Sequence, residues 1–122
     1  MKILVCGSRG FSDYPLMLSV LEGLGSETQV TIIEGAAYGA DIMSSLIASE
    51  LHYDVEEYPA DWVRYPRAAG FVRNQQMLDE GHPDRVIAFS VVYPLTPGTS
   101  DMVFRAFKAN LPIEIHVSAR DA

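Results

Sequence analysis

Cysteine is almost absent from these 122 residues: one thiol, Cys6, leaves no partner for an intramolecular disulfide. Long apolar runs are absent too. Nothing approaches the length of a membrane span, and the opening Met1-Lys2-Ile3-Leu4-Val5-Cys6-Gly7 is too soon interrupted to read as a signal peptide, so a cytoplasmic protein with no membrane partner is expected. Basic residues are few. Nine Lys and Arg stand against sixteen Asp and Glu, a net charge of −7, which argues against a duplex-DNA binder because such proteins need an excess of cations. An anionic small ligand stays open if its charge is met locally. Neither the Gly-x-x-x-x-Gly-Lys-Ser/Thr phosphate loop nor the Gly-x-Gly-x-x-Gly dinucleotide fingerprint occurs, so no cofactor is expected. His52, His82 and His116 show no metal-ligand spacing, and no metal site is expected.

What is present is enough hydrophobic sequence, 48%, to bury a core. Short β-branched runs at Lys2 to Cys6, Gln29 to Glu34, Asp54 to Tyr58, Arg85 to Phe89 and Ile113 to Val117 read as strands buried on both faces. Amphipathic stretches at Pro15 to Leu24, Ala40 to Leu51, Phe71 to Glu80 and Ser100 to Asn110 read as helices. Gly25 and Gly81 are expected to end two of them in left-handed conformation. The alternation predicts an α/β fold: a single Rossmann-like three-layer domain over residues 1–122 with a mainly parallel five-stranded sheet. Right-handed crossovers then bring the loops after the strands to one edge, where open α/β sheets bind ligands.

Those loops carry the candidate chemistry. Gly7-Ser8-Arg9-Gly10 offers close backbone approach and donors to an anion; Gly35-Ala36-Ala37-Tyr38-Gly39-Ala40-Asp41 runs from a small-residue turn into a helix start. Each alone is equally well a tight turn with a capping carboxylate. Between Asp61 and Asp79 lie three arginines ahead of Asn74, namely Arg64, Arg67 and Arg73, with Trp62, Tyr65 and Phe71 and no acid. Arg73 and Asn74 are placed in the first turn of the next helix, where a cation opposes the helix dipole and needs another reason to be there, an anionic ligand or an ion pair with Asp41 or Asp101. For Arg64 and Arg67 individually a solvated face is the expectation. Gly98-Thr99-Ser100-Asp101 opens the last helix, and Val91-Val92-Tyr93 before it covers a ligand or packs on another subunit.

The order Gly7-Ser8-Arg9, Gly35-Ala36-x-x-Gly39-Ala40-Asp41, Ala60-Asp61-Trp62, Ala69-Gly70-x-x-Arg73-Asn74-x-x-Met77 and Gly98-Thr99-x-Asp101-Met102 resembles the SLOG superfamily. More narrowly it is similar to the small bacterial and phage proteins of its YspA-like (YpsA-related) branch. The resemblance spans about Lys2 to Val117. It implies a Rossmann-like sheet with a site for a nucleotide or nucleotide-derived ligand, and relatives that include the LOG phosphoribohydrolases and the single-stranded-DNA binder DprA. LOG enzymes use an arginine in Arg-Lys-x-x-Met, to which Arg73-Asn74-x-x-Met77 is similar, and a glutamate in Pro-Gly-Gly-x-Gly-Thr-x-x-Glu. Here Leu95-Thr96 replaces the glycine pair and Met102 stands at the glutamate, so the acid is missing.

The reading adopted is a sensor or sequestering protein whose ligand-binding residues are Gly7, Ser8, Arg9, Gly35, Gly39, Asp41, Arg73, Asn74, Gly98, Thr99 and Asp101. The alternative is a nucleotide-processing hydrolase that cleaves the N-glycosidic bond of a nucleoside monophosphate, with Arg73 and Asp101 as catalytic candidates. A third reading is DprA-like binding of single-stranded DNA through the Trp62 to Arg73 stretch. The resemblance also implies a homo-oligomer, dimer or higher.

Overall fold

The computed structural model describes residues 1–25 and 29–118. Five strands and four helices alternate: β1 (Lys2–Gly7), α1 (Tyr14–Glu22), β2 (Thr31–Glu34), α2 (Ala40–Glu50), β3 (Asp54–Glu57), α3 (Ala69–Gly81), β4 (Arg85–Ser90), α4 (Pro97–Lys108) and β5 (Ile113–Val117). All strand pairs are parallel, in the order β3-β2-β1-β4-β5. This is the expected Rossmann-like α/β fold.

The strands of the centre are buried on both faces because their apolar residues serve two cores. In β1, Ile3 and Val5 pack with Met17, Leu21 and Ile47 of α1 and α2; Leu4 and Cys6 pack with Met77, Met102 and Ala106 of α3 and α4. The chain winds outward from β1 to β3, then returns to β4 and winds the other way. The loops after β1 and β4 therefore part from one another, and a crevice opens at that switch point. Gly7 lies opposite Phe89 there, and a Cβ at Gly7 would fall 1.9 Å from the Phe89 carbonyl oxygen.

Helix ends depart from the sequence expectation in ways that matter. α3 begins two residues early, at Ala69, so Arg73 lies in its second turn rather than its first. α4 begins at Pro97 instead of Ser100, because a proline at the first helical position loses no hydrogen bond and has the φ the helix needs. The left-handed residue after α3 is His82 (φ 51°), not Gly81, which stays helical beneath Ile33: a Cβ there would sit 3.0 Å from Ile33 Cδ1. Gly25 is not left-handed either. It makes room for Tyr53, whose hydroxyl donates to the Leu21 carbonyl at 2.8 Å. Asp13 caps α1, accepting from the Leu16 N–H. Among the described residues no helix is long and apolar enough to cross a membrane.

Candidate functional site

Two neighbouring structures form at the C-terminal edge of the sheet. The first is the β2–α2 loop. Its helix has no side-chain cap, and Asp41 in the first turn folds back so that Oδ2 accepts the N–H groups of Gly35 and Ala37, each at 3.2 Å. The loop's anion is thus supplied by the chain itself. Arg73 reaches across from α3: Nη1 donates to the Gly35 carbonyl and, at 3.5 Å, to that of Tyr58, while Nε donates to Asn74 Oδ1. Gly35 is glycine because the guanidinium lies where a Cβ would be. Gly39, at φ 82°, is pressed against the Ser8 and Arg9 carbonyls, and a Cβ there would fall 2.3 Å from each carbonyl oxygen.

Buried charge gathers under this loop. Burial pushes Asp41 up to about 6, a rise held back by the two N–H bonds and by the Arg73 and Arg9 cations. Glu34, fully buried at the end of β2 with neither carboxylate oxygen hydrogen-bonded, is pushed up to about 8, first by burial and then by the Asp41 charge. Burial lowers Arg73, and the Asp41 and Glu34 charges oppose that. Desolvation also raises the Cys6 thiol, which keeps it a thiol and a poor nucleophile.

The second structure is an open cleft of about 560 Å³ at the switch point. One wall is the β1 loop, Gly7 to Gly10. The opposite wall is the start of α4, Thr96 to Thr99, and the remaining sides are Val91, Val92, Trp62, Arg67, Phe71, Arg73, Asn74 and Met77. The Thr96 hydroxyl lies 3.3 Å from that of Thr99 and caps no backbone N–H of its helix, so the N–H groups of Gly98 and Thr99 stay unpaired by the helix, as at any uncapped N-terminus. A Cβ at Gly98 would meet nothing within 4 Å.

Eight of the eleven candidate residues line this cleft: Gly7, Ser8, Arg9, Asp41, Arg73, Asn74, Gly98 and Thr99. Gly35, Gly39 and Asp101 do not. Asp101 Oδ2 is taken by Arg105 Nε at 2.8 Å and Asn74 Nδ2 at 3.0 Å, in a network that ties α3 to α4. Arg73 therefore has no ion pair with Asp101. Ser8 lines the cleft but is engaged: its Oγ lies 3.0 Å from Ser90 Oγ and accepts the Val91 N–H. The cleft also holds Trp62, Arg67, Thr96, Pro97 and Met77, which are not among the eleven. The signal for two of them was the acid-free arginine and aromatic stretch. Arg64, by contrast, lies over its neighbour Tyr65, with the guanidinium 5.2 Å from the ring centre.

A family model described as "YspA, cpYpsA-related SLOG family" matches residues 1–65, a little over half of the chain. The chain belongs to this SLOG family. The match takes in the β1 loop, the β2–α2 loop and Trp62, whereas α3 and α4 lie beyond it. Among solved structures, a predicted subunit of a tRNA methyltransferase from Methanocaldococcus jannaschii is similar at 16% identity and TM-score 0.43, covering 98% of this chain and 69% of that one. A dodecameric FMN-dependent UbiX-like decarboxylase from Escherichia coli O157:H7 is similar at 13% identity and TM-score 0.41, covering 93% and 79%. No curated protein matches. For this SLOG family member the site is read from its own residues.

Proposed function

We propose that this SLOG protein binds a nucleotide or nucleotide-derived ligand in the switch-point cleft, as a sensor or sequestering protein. The observation that carries the reading is the meeting, in one cleft of about 560 Å³, of an uncapped helix start with an open glycine, the cations Arg9 and Arg67, and an apolar wall that includes half-exposed Trp62. The volume falls in the range of small-ligand sites. A phosphate fits the helix start and the arginines. Trp62 and the Val91-Val92 segment offer apolar surface to a base.

Binding without turnover is favoured by the carboxylates. Asp41 is the acid that lines the cleft, and its Oδ2 already holds two N–H groups; Asp101 is held by Arg105, and Met102 is fully buried in the α3–α4 core. A hydrolase needs a free acid or base within hydrogen-bond reach of the bond it breaks. The volume of the cleft, about 560 Å³, likewise suits one nucleotide better than a DNA strand.

The test is a thermal-shift screen of nucleoside monophosphates, cyclic nucleotides, ADP-ribose, NAD and a short single-stranded oligonucleotide, with each hit assayed for product. A ligand at about a hundred times its Kd stabilises the fold by about 2.7 kcal/mol, a shift of several degrees. We expect one nucleotide class to shift the melting and to be recovered intact. Arg67→Ala should weaken that ligand about tenfold, equivalent to about 1.4 kcal/mol, and leave the melting of the free protein unchanged. No shift with any compound sinks the nucleotide reading. Released base would establish the hydrolase, and an oligonucleotide shift that falls steeply with salt would establish the DNA binder.

A further inference from the structure

The two edges of the sheet are built differently. β3, at one edge, reads Asp54-Val55-Glu56-Glu57, and such a row of charges resists pairing with another strand. β5, at the other, reads Ile113-Glu114-Ile115-His116-Val117, with Ile115 and Val117 exposed. α4 beside it exposes Phe107 at 70%, about 100° round the helix from buried Ala106, whereas Phe104 lies on the helix face opposite Met102 and Ala106 with the Lys108 ammonium 5.0 Å from its ring centre. Ile113 packs with Met102 and Ala106, so α4 and the isoleucine face of β5 lie on the same side of the sheet. Among the described residues no strand pairs with the outer side of β5, and Ile115, Val117 and Phe107 are exposed beside it.

From this we infer that β5 and α4 form the interface with a second copy of this chain, joined by antiparallel pairing of β5 to β5 about a two-fold axis at Ile115. The backbone fits that register. Val86 donates its N–H to the Pro112 carbonyl and Ser118 donates to the Ser90 carbonyl, so the even-numbered residues of β5 face β4. In a parallel pair the bonding residues alternate, which leaves the N–H and C=O of Ile113, Ile115 and Val117 pointing outward. A two-fold axis at Ile115 pairs Ile115 with Ile115 and Ile113 with Val117, all of them outward-facing, and each pair exchanges two backbone hydrogen bonds.

The side chains fit it as well. Across the axis each Glu114, which in its own chain already meets Arg85 at 2.6 Å and His116 at 3.2 Å, stands opposite the His116 of the second copy, an acid against an imidazole on both sides. On the other face, Phe107 of each α4 flanks the paired isoleucines and valines. The result is a ten-stranded sheet with its apolar edge hidden and the acidic β3 edges outermost. An isologous two-fold contact of this kind closes on itself, so it stops at a dimer.

Sedimentation of the full chain tests the surface, and cysteine trapping tests the register. The wild type is expected at twice 13.5 kDa at about 100 μM, where an interface with a Kd of about 1 μM is mostly occupied. Ile115→Pro removes an N–H that faces outward and leaves the β4 ladder whole, so it should give a folded monomer. Phe107→Glu should do the same from the helix side, with the far-ultraviolet circular dichroism of the wild type. Ile115→Cys should form a disulfide-linked dimer on mild oxidation, since mates of a hydrogen-bonded pair lie about 5.5 Å apart at Cα, and Ile113→Cys should not, since its mate is Val117. A wild type at 13.5 kDa throughout would overturn the proposal. So would a dimer that persists in both folded variants, or one that is trapped through position 113 and not 115.

Discussion

Two loops of similar composition stand on either side of the β1 loop at the edge of this sheet, and they do opposite things. The β2–α2 loop spends its polar groups on itself: Asp41 takes the Gly35 and Ala37 N–H groups, and Arg73 takes the Gly35 carbonyl. The β4–α4 loop leaves its helix start open, with no cap from Thr96 and free space above Gly98. Both read in sequence as glycine followed by a hydroxyl or small residue, an acid and a helix. The first is a scaffold that the protein has filled with its own carboxylate, and the second has an uncapped helix start with open space above Gly98, where the proposed ligand would bind. Glycine thus has two meanings here, as room for protein atoms at Gly35 and Gly39 and as room for something else at Gly98.

The largest effect should come from filling the closed half. Gly39→Ala adds a methyl group 2.3 Å from two carbonyl oxygens at a φ of 82°, and neither backbone can yield without moving the β1 loop. A loss of about 3 kcal/mol or more in urea unfolding is expected. A loss under about 1 kcal/mol would show that the closed half is softer than its contacts imply.

The buried acids of that half give the next effect, through pH. Glu34 is raised to about 8, so the folded state holds its proton more tightly than the unfolded chain does. Its stability contribution is whole below the unfolded value of about 4.5 and is lost as pH rises towards 8; Asp41, raised only to about 6, has finished its part by then. Between about pH 6.5 and about pH 8.5 the wild type should lose about 2 kcal/mol of unfolding free energy on this account. Glu34→Gln should abolish that slope and be the more stable protein at the alkaline end. An unchanged slope in the variant would place the titrating group elsewhere.

Much of this division could be read from the sequence, and the part that could not has a physical reason. Strand positions and the parallel sheet follow from apolar runs that serve two cores, as Ile3-Leu4-Val5-Cys6 does. The cleft's residue types follow too, since Arg9 and Thr99 sit at loop and helix-start positions, and Asn74 one turn into α3, that the topology gathers at one edge. What stays hidden is direction. Asp41 and Asp101 both follow a glycine near a helix start, yet one turns back into its own loop and the other runs along its own helix to Arg105 and across to Asn74 of α3. Sequence spacing offers Asp101 the Arg105 four residues on and leaves its bond from Asn74 of α3 to tertiary packing. The same limit applies to Arg67, which looks like one more surface arginine until the Trp62 to Gly70 segment is laid along the cleft.

Gly98→Ala gives the smallest effect on the fold and the sharpest comparison. An alanine near a helix start has a better helix propensity than glycine, and at Gly98 its methyl group meets no protein atom within 4 Å, so the free protein should be unchanged or more stable by up to about 1 kcal/mol. Binding should move the other way. The methyl group stands above the N–H groups that a phosphate would approach, and it should weaken a nucleotide about tenfold by keeping its oxygens out of hydrogen-bond range. Gly39→Ala and Gly98→Ala are the same chemical change in the two loops, and the first should cost stability while the second costs affinity. If Gly98→Ala leaves both untouched, the space above α4 is plain surface, and the phosphate end of the ligand must be sought at Arg9 and the β1 loop.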